Sequence, residues 1–143
     1  MEEQTITLLK ECNSGCRMAV NSIDRLKDFV MNADLDKVLE TYKGQHRNLE
    51  EESSKLLAEA GQSGKQPDRL ATAFSWITTE VKMLLSDDSA QIAKILMNGC
   101  NMGIQSVSEC MNKCPAASHA SMSLAKKLVK CEEKLMEDMK KFL

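Results

Sequence analysis

Apolar residues recur at intervals of three and four along most of this sequence, which is the spacing of one face of an α-helix. The first run predicts a helix over residues 4–31, and Asn32 is suited to end it. Asp34 is suited to cap a second helix that continues to Ala60. Because so few residues separate the two runs, we expect them to form an antiparallel helical hairpin.

The remaining runs predict three more helices. Residues 60–66 are polar and contain glycine, so they form a loop, and a proline and an aspartate then open a shorter helix over residues 67–85. Ser86 is predicted to cap a long helix over residues 87–114, with two aspartates at its positive end. The last helix is predicted from Ala116 to the C-terminus, with its lysines and glutamates forming a solvated outer face.

Cysteine replaces the usual leucine at several core positions of the long helices. The six cysteines all lie on apolar stripes: Cys12 and Cys16 on the first helix, Cys100, Cys110 and Cys114 on the fourth, and Cys131 on the last. The second helix carries no cysteine, but it has His46 on its stripe. Thiols and an imidazole in a core are the most informative chemical feature of the sequence.

Composition narrows the class of protein. A chain of 143 residues is long enough to bury roughly 68% of its extended surface, so we predict one domain over residues 1–143. Two prolines and 3% aromatic residues favour an all-α fold. The net charge of −2 is dispersed without a basic block, and we therefore do not expect nucleic acid as a partner.

The lengths of the apolar runs, the charges of the first residues and the spacing of the cysteines predict a cytoplasmic protein with reduced thiols. No apolar run approaches the ~18 residues of a membrane span, and the first residues are acidic where an export signal would be basic. We therefore expect no membrane association. Cys12 and Cys16, like Cys110 and Cys114, lie one helical turn apart, which is unsuited to a disulfide within a helix.

The order of long and short helices predicts the topology. A segment of roughly 19 residues, rising ~1.5 Å per residue, is long enough to run back along a bundle of the four long helices. The second and fourth helices of the chain should then be parallel. A single long crossover of this kind is the ferritin-like arrangement.

Residues spread over the chain also resemble a known family. The matching residues are Leu8 and Leu9, then Leu56, Leu57, Ala58, Glu59, Ala60 and Gly61, then Trp76, then Ser86, Asp87 and Asp88, and finally Gly99 followed by Cys100. On these residues the chain resembles a bacterial ferritin-like family of unknown function. The resemblance implies a ferritin-like four-helix bundle with a short crossover helix between the second and third long helices. The di-iron ligands of ferritin-like enzymes do not carry over, because the chain lacks Glu-x-x-His and has Cys100 where the family has glutamate.

Four soft ligands fall at one height in such a bundle. Counting ~1.5 Å per residue, Cys16, His46, Cys100 and Cys131 all lie about 18–22 Å from the end nearest the last turn. Three thiolates and an imidazole suit tetrahedral Zn²⁺ or a thiolate-rich Cu(I) site, ahead of Fe. Glu50, one turn from His46, is a secondary ligand candidate.

A second group of candidate ligands lies nearer the bundle end. Cys110, Cys114 and His119 flank the last turn, and Cys12 can approach them. Their spacing matches no common zinc motif, so we treat them as secondary metal ligands.

Two interpretations of the function remain open at this stage. The first is a ferritin-like bundle that binds a soft metal through its mid-bundle thiolates and His46. The second is a structural or protein-interaction bundle without a cofactor, which could form a homodimer, with cysteines as core residues and His46 hydrogen bonded to Tyr42 or Glu50. Neither interpretation favours an enzyme, because the sequence shows no phosphate loop and no nucleophile elbow.

Overall fold

The computed structural model describes residues 2–62 and 88–143. These residues form four α-helices and no strand: α1 (Glu2–Lys27), α2 (Ala33–Glu59), α3 (Ser89–Lys113) and α4 (His119–Met139), followed by a 3-10 turn over Lys140–Phe142. The predicted all-α class is therefore confirmed. The predicted helix over residues 67–85 lies outside the described residues, as do Trp76, Ser86 and Asp87.

The N-terminal caps differ from those predicted for three helices, since Asp88 rather than Ser86 caps α3. Asn32 caps α2, because its extended backbone lets its side-chain oxygen accept a hydrogen bond of 3.0 Å from the amide of Leu35. The predicted cap, Asp34, lies inside the first turn instead. Ser118 caps α4 by accepting from the amide of Ser121, so the helix begins at His119, three residues later than the predicted start at Ala116.

Asp88 and Gly61 delimit the ends of α3 and α2. The Asp88 side chain accepts a hydrogen bond of 3.1 Å from the amide of Gln91 and so caps α3. Gly61 has a φ of 74°, and its amide and that of Gln62 donate to the carbonyls of Ala58 and Leu57. This left-handed glycine closes the last turn of α2.

Among the described residues, two clusters of buried side chains form the core. The lower cluster contains Leu8, Leu9, Cys12, Cys16, Leu57, Val107, Leu124, Ala125 and Leu128. The upper cluster contains Ile23, Leu26, Leu35, Leu39, Tyr42, Ile92, Ala93, Ile95, Leu96, Cys100, Cys131, Leu135 and Met139. Each fully buried leucine or isoleucine contributes about 1.5–3 kcal/mol relative to exposure.

The order of residues in the clusters gives the direction of each helix. α1 and α4 run from the lower cluster to the upper one, whereas α2 and α3 run from the upper to the lower. The start of α1 holds the α3–α4 turn, because the amide of Ala116 donates to Gln4 and the amide of Ser118 donates to Thr5. α2 and α3 are therefore parallel, as the predicted topology requires.

Candidate functional site

A buried carboxylate on α4 contacts both His46 and Cys100. Glu132 on α4 is 6% exposed, although we expected the charged residues of this helix to form its outer face. It lies four residues after Leu128 and three before Leu135, both buried, so the helix directs it inward. That spacing was the sequence signal for its burial, and it was masked by the neighbouring charged residues.

His46 is the direct partner of this carboxylate. Its Nδ1 donates to the carbonyl oxygen of Tyr42 at 2.7 Å, and its Nε2 faces Oε1 of Glu132. Because both nitrogens face acceptors, the ring carries both protons and its charge balances that of Glu132. Burial alone lowers the pKa of His46, but the contacts with Cys131 and Glu132 outweigh it and raise the pKa to about 10.

The partners predicted for His46 are correct only in part. Tyr42 contributes its backbone carbonyl, and its hydroxyl instead donates to Asp138 at 2.5 Å. Glu50 does not reach the ring, because it forms an ion pair with Nε of Arg17 at 3.1 Å. Glu50 is thereby engaged away from His46, and Glu132 is the carboxylate that sequence reasoning missed.

Cys131 packs beside the imidazole ring. Its sulfur lies 3.9 Å from both Nδ1 and Nε2 of His46, and the thiol also donates to Oε1 of Gln45 at 3.4 Å. A sulfur equidistant from both ring nitrogens lies off the lone-pair axis of each. A metal ion bridging this sulfur and one nitrogen would require the ring to turn and to lose one of its two hydrogen bonds.

Cys100 approaches the same carboxylate from α3. It is 3% exposed, and its thiol is within hydrogen-bonding reach of Glu132. Burial raises the pKa of the Cys100 thiol, and the negative charge of Glu132 raises it further. This thiol is therefore protonated at neutral pH and is a poor nucleophile in this environment.

Cys16 packs in a different cluster from Cys100 and Cys131. It belongs to the lower cluster, and the neighbouring Arg17 pairs with Glu50, one helical turn, or roughly 6 Å, from His46. The place of Cys16 in the predicted ligand set stays a prediction. Burial also raises the pKa of its thiol, followed by the effects of Cys12 and Glu132.

Among the secondary metal ligands, Cys12 and Cys110 lie near each other. Cys12 is buried and has a pKa raised to about 12, first by burial and then by the nearby Cys110, which is half-buried. Cys114 is buried after the end of α3, whereas His119 is exposed at the start of α4. Within residues 2–62 and 88–143, no three His, Cys, Asp or Glu side chains are arranged to hold a metal ion. The soft-metal site therefore stays a prediction without geometric support.

A cavity with a volume of about 110 Å³ separates α1 from α3 above α4. Small residues line it on both helices and leave the space unfilled: Gly15, Ala19 and Ser22 on α1, and Gly99, Gly103 and Ser106 on α3. Ile23, Leu26, Leu96, Leu128 and Leu135 contribute aliphatic surface. The lining is almost entirely apolar, and Cys100 and Glu132 are its polar groups on the side of the core.

Gly103 connects the cavity to the carboxylate. A Cβ atom at this position would lie 3.5 Å from Oε2 of Glu132, so the absence of a side chain leaves space beside that oxygen. The other oxygen, Oε1, faces His46. One end of the apolar cavity thus borders the carboxylate of the buried ion pair between Glu132 and His46.

Comparisons with known proteins identified no relative of this chain. No protein-family model, curated protein or solved structure matches the chain. The ferritin-like resemblance therefore remains a prediction. None of the four described α-helices is both long enough and apolar enough to span a membrane. The cytoplasmic location also remains a prediction.

Proposed function

We propose that the protein binds a small apolar molecule in the cavity between α1, α3 and α4. The observation that supports this proposal is an apolar volume of about 110 Å³ that the glycine, alanine and serine side chains of two helices leave unfilled. Engineered apolar cavities of about 150 Å³ in helical proteins take up benzene, so this volume suits a ring of similar size. Pockets between the helices of a bundle are common ligand sites.

Burial of the side chains around the cavity is consistent with a preformed site. Leu26 and Leu128 are at most 2% exposed, and Cys100 is 3% exposed, so the walls belong to the packed core. Met102, which is 45% exposed, lies at the outer edge. A preformed wall lowers the conformational entropy lost on binding, because few side chains must be ordered.

Binding of benzene to the wild-type protein and to a filled cavity tests this proposal. In Ala19→Leu the larger side chain enters the cavity, whereas Ala58→Leu makes the same change at an exposed position on α2. We expect benzene to raise the melting temperature of the wild type and of Ala58→Leu by a few degrees at about tenfold excess over Kd. Ala19→Leu should show no increase. An equal rise in melting temperature for all three proteins would contradict the proposal. So would an NMR spectrum of the wild type whose chemical shifts do not change on addition of benzene.

The predicted soft-metal site shares one side chain, Cys100, with the lining of the cavity. It ranks below ligand binding because the Cys131 sulfur lies off both nitrogen axes of His46 and no three candidate ligands among the described residues are arranged to hold a metal ion. Metal analysis of anaerobically purified protein distinguishes the two functions. Near-stoichiometric Zn, Cu or Fe that is lost in Cys100→Ser would favour the metal site.

A further inference from the structure

We infer that the ligand of the proposed cavity is an uncharged molecule with a hydroxyl group that donates a hydrogen bond to Glu132. This inference rests on the proposed function and specifies the ligand. The groups that carry it are the ion pair of His46 with Glu132 and the space that Gly103 leaves beside the carboxylate.

The charge of the cavity selects against ionic ligands. His46 donates one proton to the Tyr42 carbonyl and one to Glu132, so the buried pair is neutral as a unit. An ammonium or carboxylate group entering the cavity would add an uncompensated charge among aliphatic side chains, which is strongly unfavourable. A hydroxyl group adds no net charge.

The geometry of the carboxylate favours a hydrogen-bond donor. A carboxylate has about four acceptor positions, and His46 occupies one of them at Oε1. Oε2 lies on the side of Gly103, where a Cβ atom would approach to 3.5 Å. Cys100 offers this carboxylate only a thiol, which is a weak donor. A ligand hydroxyl is a stronger donor and would form a charge-assisted hydrogen bond.

Phenol and toluene form a suitable pair of probes, because they have the same shape and differ in the hydroxyl group. We compare their Kd values by calorimetry for the wild type, Glu132→Gln and the control Glu133→Gln, whose side chain is exposed. For each ligand we take the ratio of the variant Kd to the wild-type Kd, and the free energy of hydration of the ligand cancels in this ratio. We expect Glu132→Gln to weaken phenol binding about tenfold and to change toluene binding less than twofold, as charge-assisted bonds exceed neutral ones. Glu133→Gln should change neither.

A second pair of variants does not depend on the folding of Glu132→Gln. Gly103→Ala places a methyl group beside Oε2, and Gly15→Ala places one 3.6 Å from Leu128 on the opposite wall. Both contacts are ordinary in length, and alanine favours a helix, so both variants should fold. We expect only Gly103→Ala to lower the affinity for phenol relative to toluene.

The outcomes separate the inference from the proposed function. If toluene binds and Glu132→Gln weakens both probes equally, the hydroxyl preference is wrong and the cavity remains a ligand site. If neither probe binds the wild type, both proposals fail. Tighter binding of benzylammonium than of benzyl alcohol, which has the same number of heavy atoms, would also overturn the inference.

Discussion

The ion pair between His46 and Glu132 is the most consequential contact at the scale of single residues. Both side chains are buried, at 0% and 6% exposed, and each therefore depends on the other for compensation of its charge. A buried pair is weak evidence of added stability, but removal of one partner leaves an unpaired charge in the core. The pair should accordingly appear in the pH dependence of unfolding.

The free energy of unfolding should decrease as pH rises above about 6.5. The folded-state pKa of His46 is raised to about 10 from its ordinary value of 6.5, so its contribution is complete below pH 6.5 and is lost toward pH 10. One proton gives a slope of at most about 1.4 kcal/mol per pH unit. Above pH 9 the decrease should steepen, because burial raises the pKa values of Cys12, Cys16 and Cys100 while unfolded thiols ionise.

Urea unfolding at a series of pH values measures this dependence. In Glu132→Gln the imidazole loses its counter-charge and burial then lowers its pKa, so the slope between pH 6.5 and 9 should disappear. The decrease above pH 9 should remain, because it comes from the thiols. The exposed Glu133→Gln should retain the wild-type profile. A wild-type stability independent of pH between 6.5 and 9 would show that His46 is not charged in the folded state.

Sequence reasoning found some of these residues and missed others for a physical reason. Cysteine and histidine on an apolar stripe stand out, and the predicted burial of His46, Cys100 and Cys131 agrees with the structure. Glu132 lies in a run of charges, and its burial depends on a partner that is 86 positions away in the sequence. Such a partner becomes visible only when the packing of two helices is known.

Hydrogen bonds from buried Asn13 join α1 to α2 at the scale of the helices. The side-chain amide lies 2.9 Å from the hydroxyl oxygens of both Ser53 and Ser54. Asn13 and Ser53 are completely buried, and the side-chain oxygen of Asn13 has no partner among the residues described. These bonds fix the register of the α1–α2 hairpin, since a shift by one residue would leave buried polar groups without partners.

Substitution of this asparagine should destabilise the hairpin. Asn13→Ala removes the donor from the buried hydroxyl of Ser53 and the half-buried hydroxyl of Ser54, and we expect a loss of about 1–3 kcal/mol in the free energy of unfolding. Asn21→Ala is the matched control, because Asn21 is exposed on the same helix and alanine favours the helix there. Chemical denaturation measures both changes. Equal stabilities of the two variants would mean that water satisfies Ser53 and Ser54 when Asn13 is removed.

The helices themselves were more predictable than their ends. Each described helix coincides with a predicted apolar run, because burial of one face determines the periodicity. The predicted end of α1, at residue 31, was wrong by four residues, because the helix ends at Lys27. Phe29 and Val30 continue the apolar pattern in the turn and pack on the upper cluster without being helical. Apolar spacing reports which residues are buried and does not report where the backbone leaves the helix.

At the scale of the whole described structure, residues of both packed clusters line one cavity. The lower cluster holds Cys12 and Cys16, whereas the upper one holds Cys100 and Cys131 near the ion pair. The parallel direction of α2 and α3 followed from helix lengths, but the cavity could not be predicted. Its volume depends on how small residues of two helices align across the interface, and sequence spacing within one helix does not contain that information.

The accessibility of the six thiols offers a test of the whole arrangement. Five cysteines are buried and only Cys110 is half-buried, so under native conditions one thiol should react rapidly with an alkylating reagent and five slowly. Buried thiols react only when the structure opens, and their rates report the free energy of that opening. Cys110→Ser should remove the fast phase, and denaturant should expose all remaining thiols.

The same reaction connects the cavity to the proposed ligand. Cys100 lines the cavity, whereas Cys12 lies in the lower cluster and does not. A bound molecule stabilises only the states in which the cavity is intact, so local openings that expose Cys100 should become rarer. We expect saturating phenol to slow the labelling of Cys100 severalfold more than that of Cys12, as measured by peptide mass spectrometry. Equal slowing of both thiols would instead indicate global stabilisation without a ligand in this cavity, whereas Ala19→Leu should abolish the difference because its side chain fills the space.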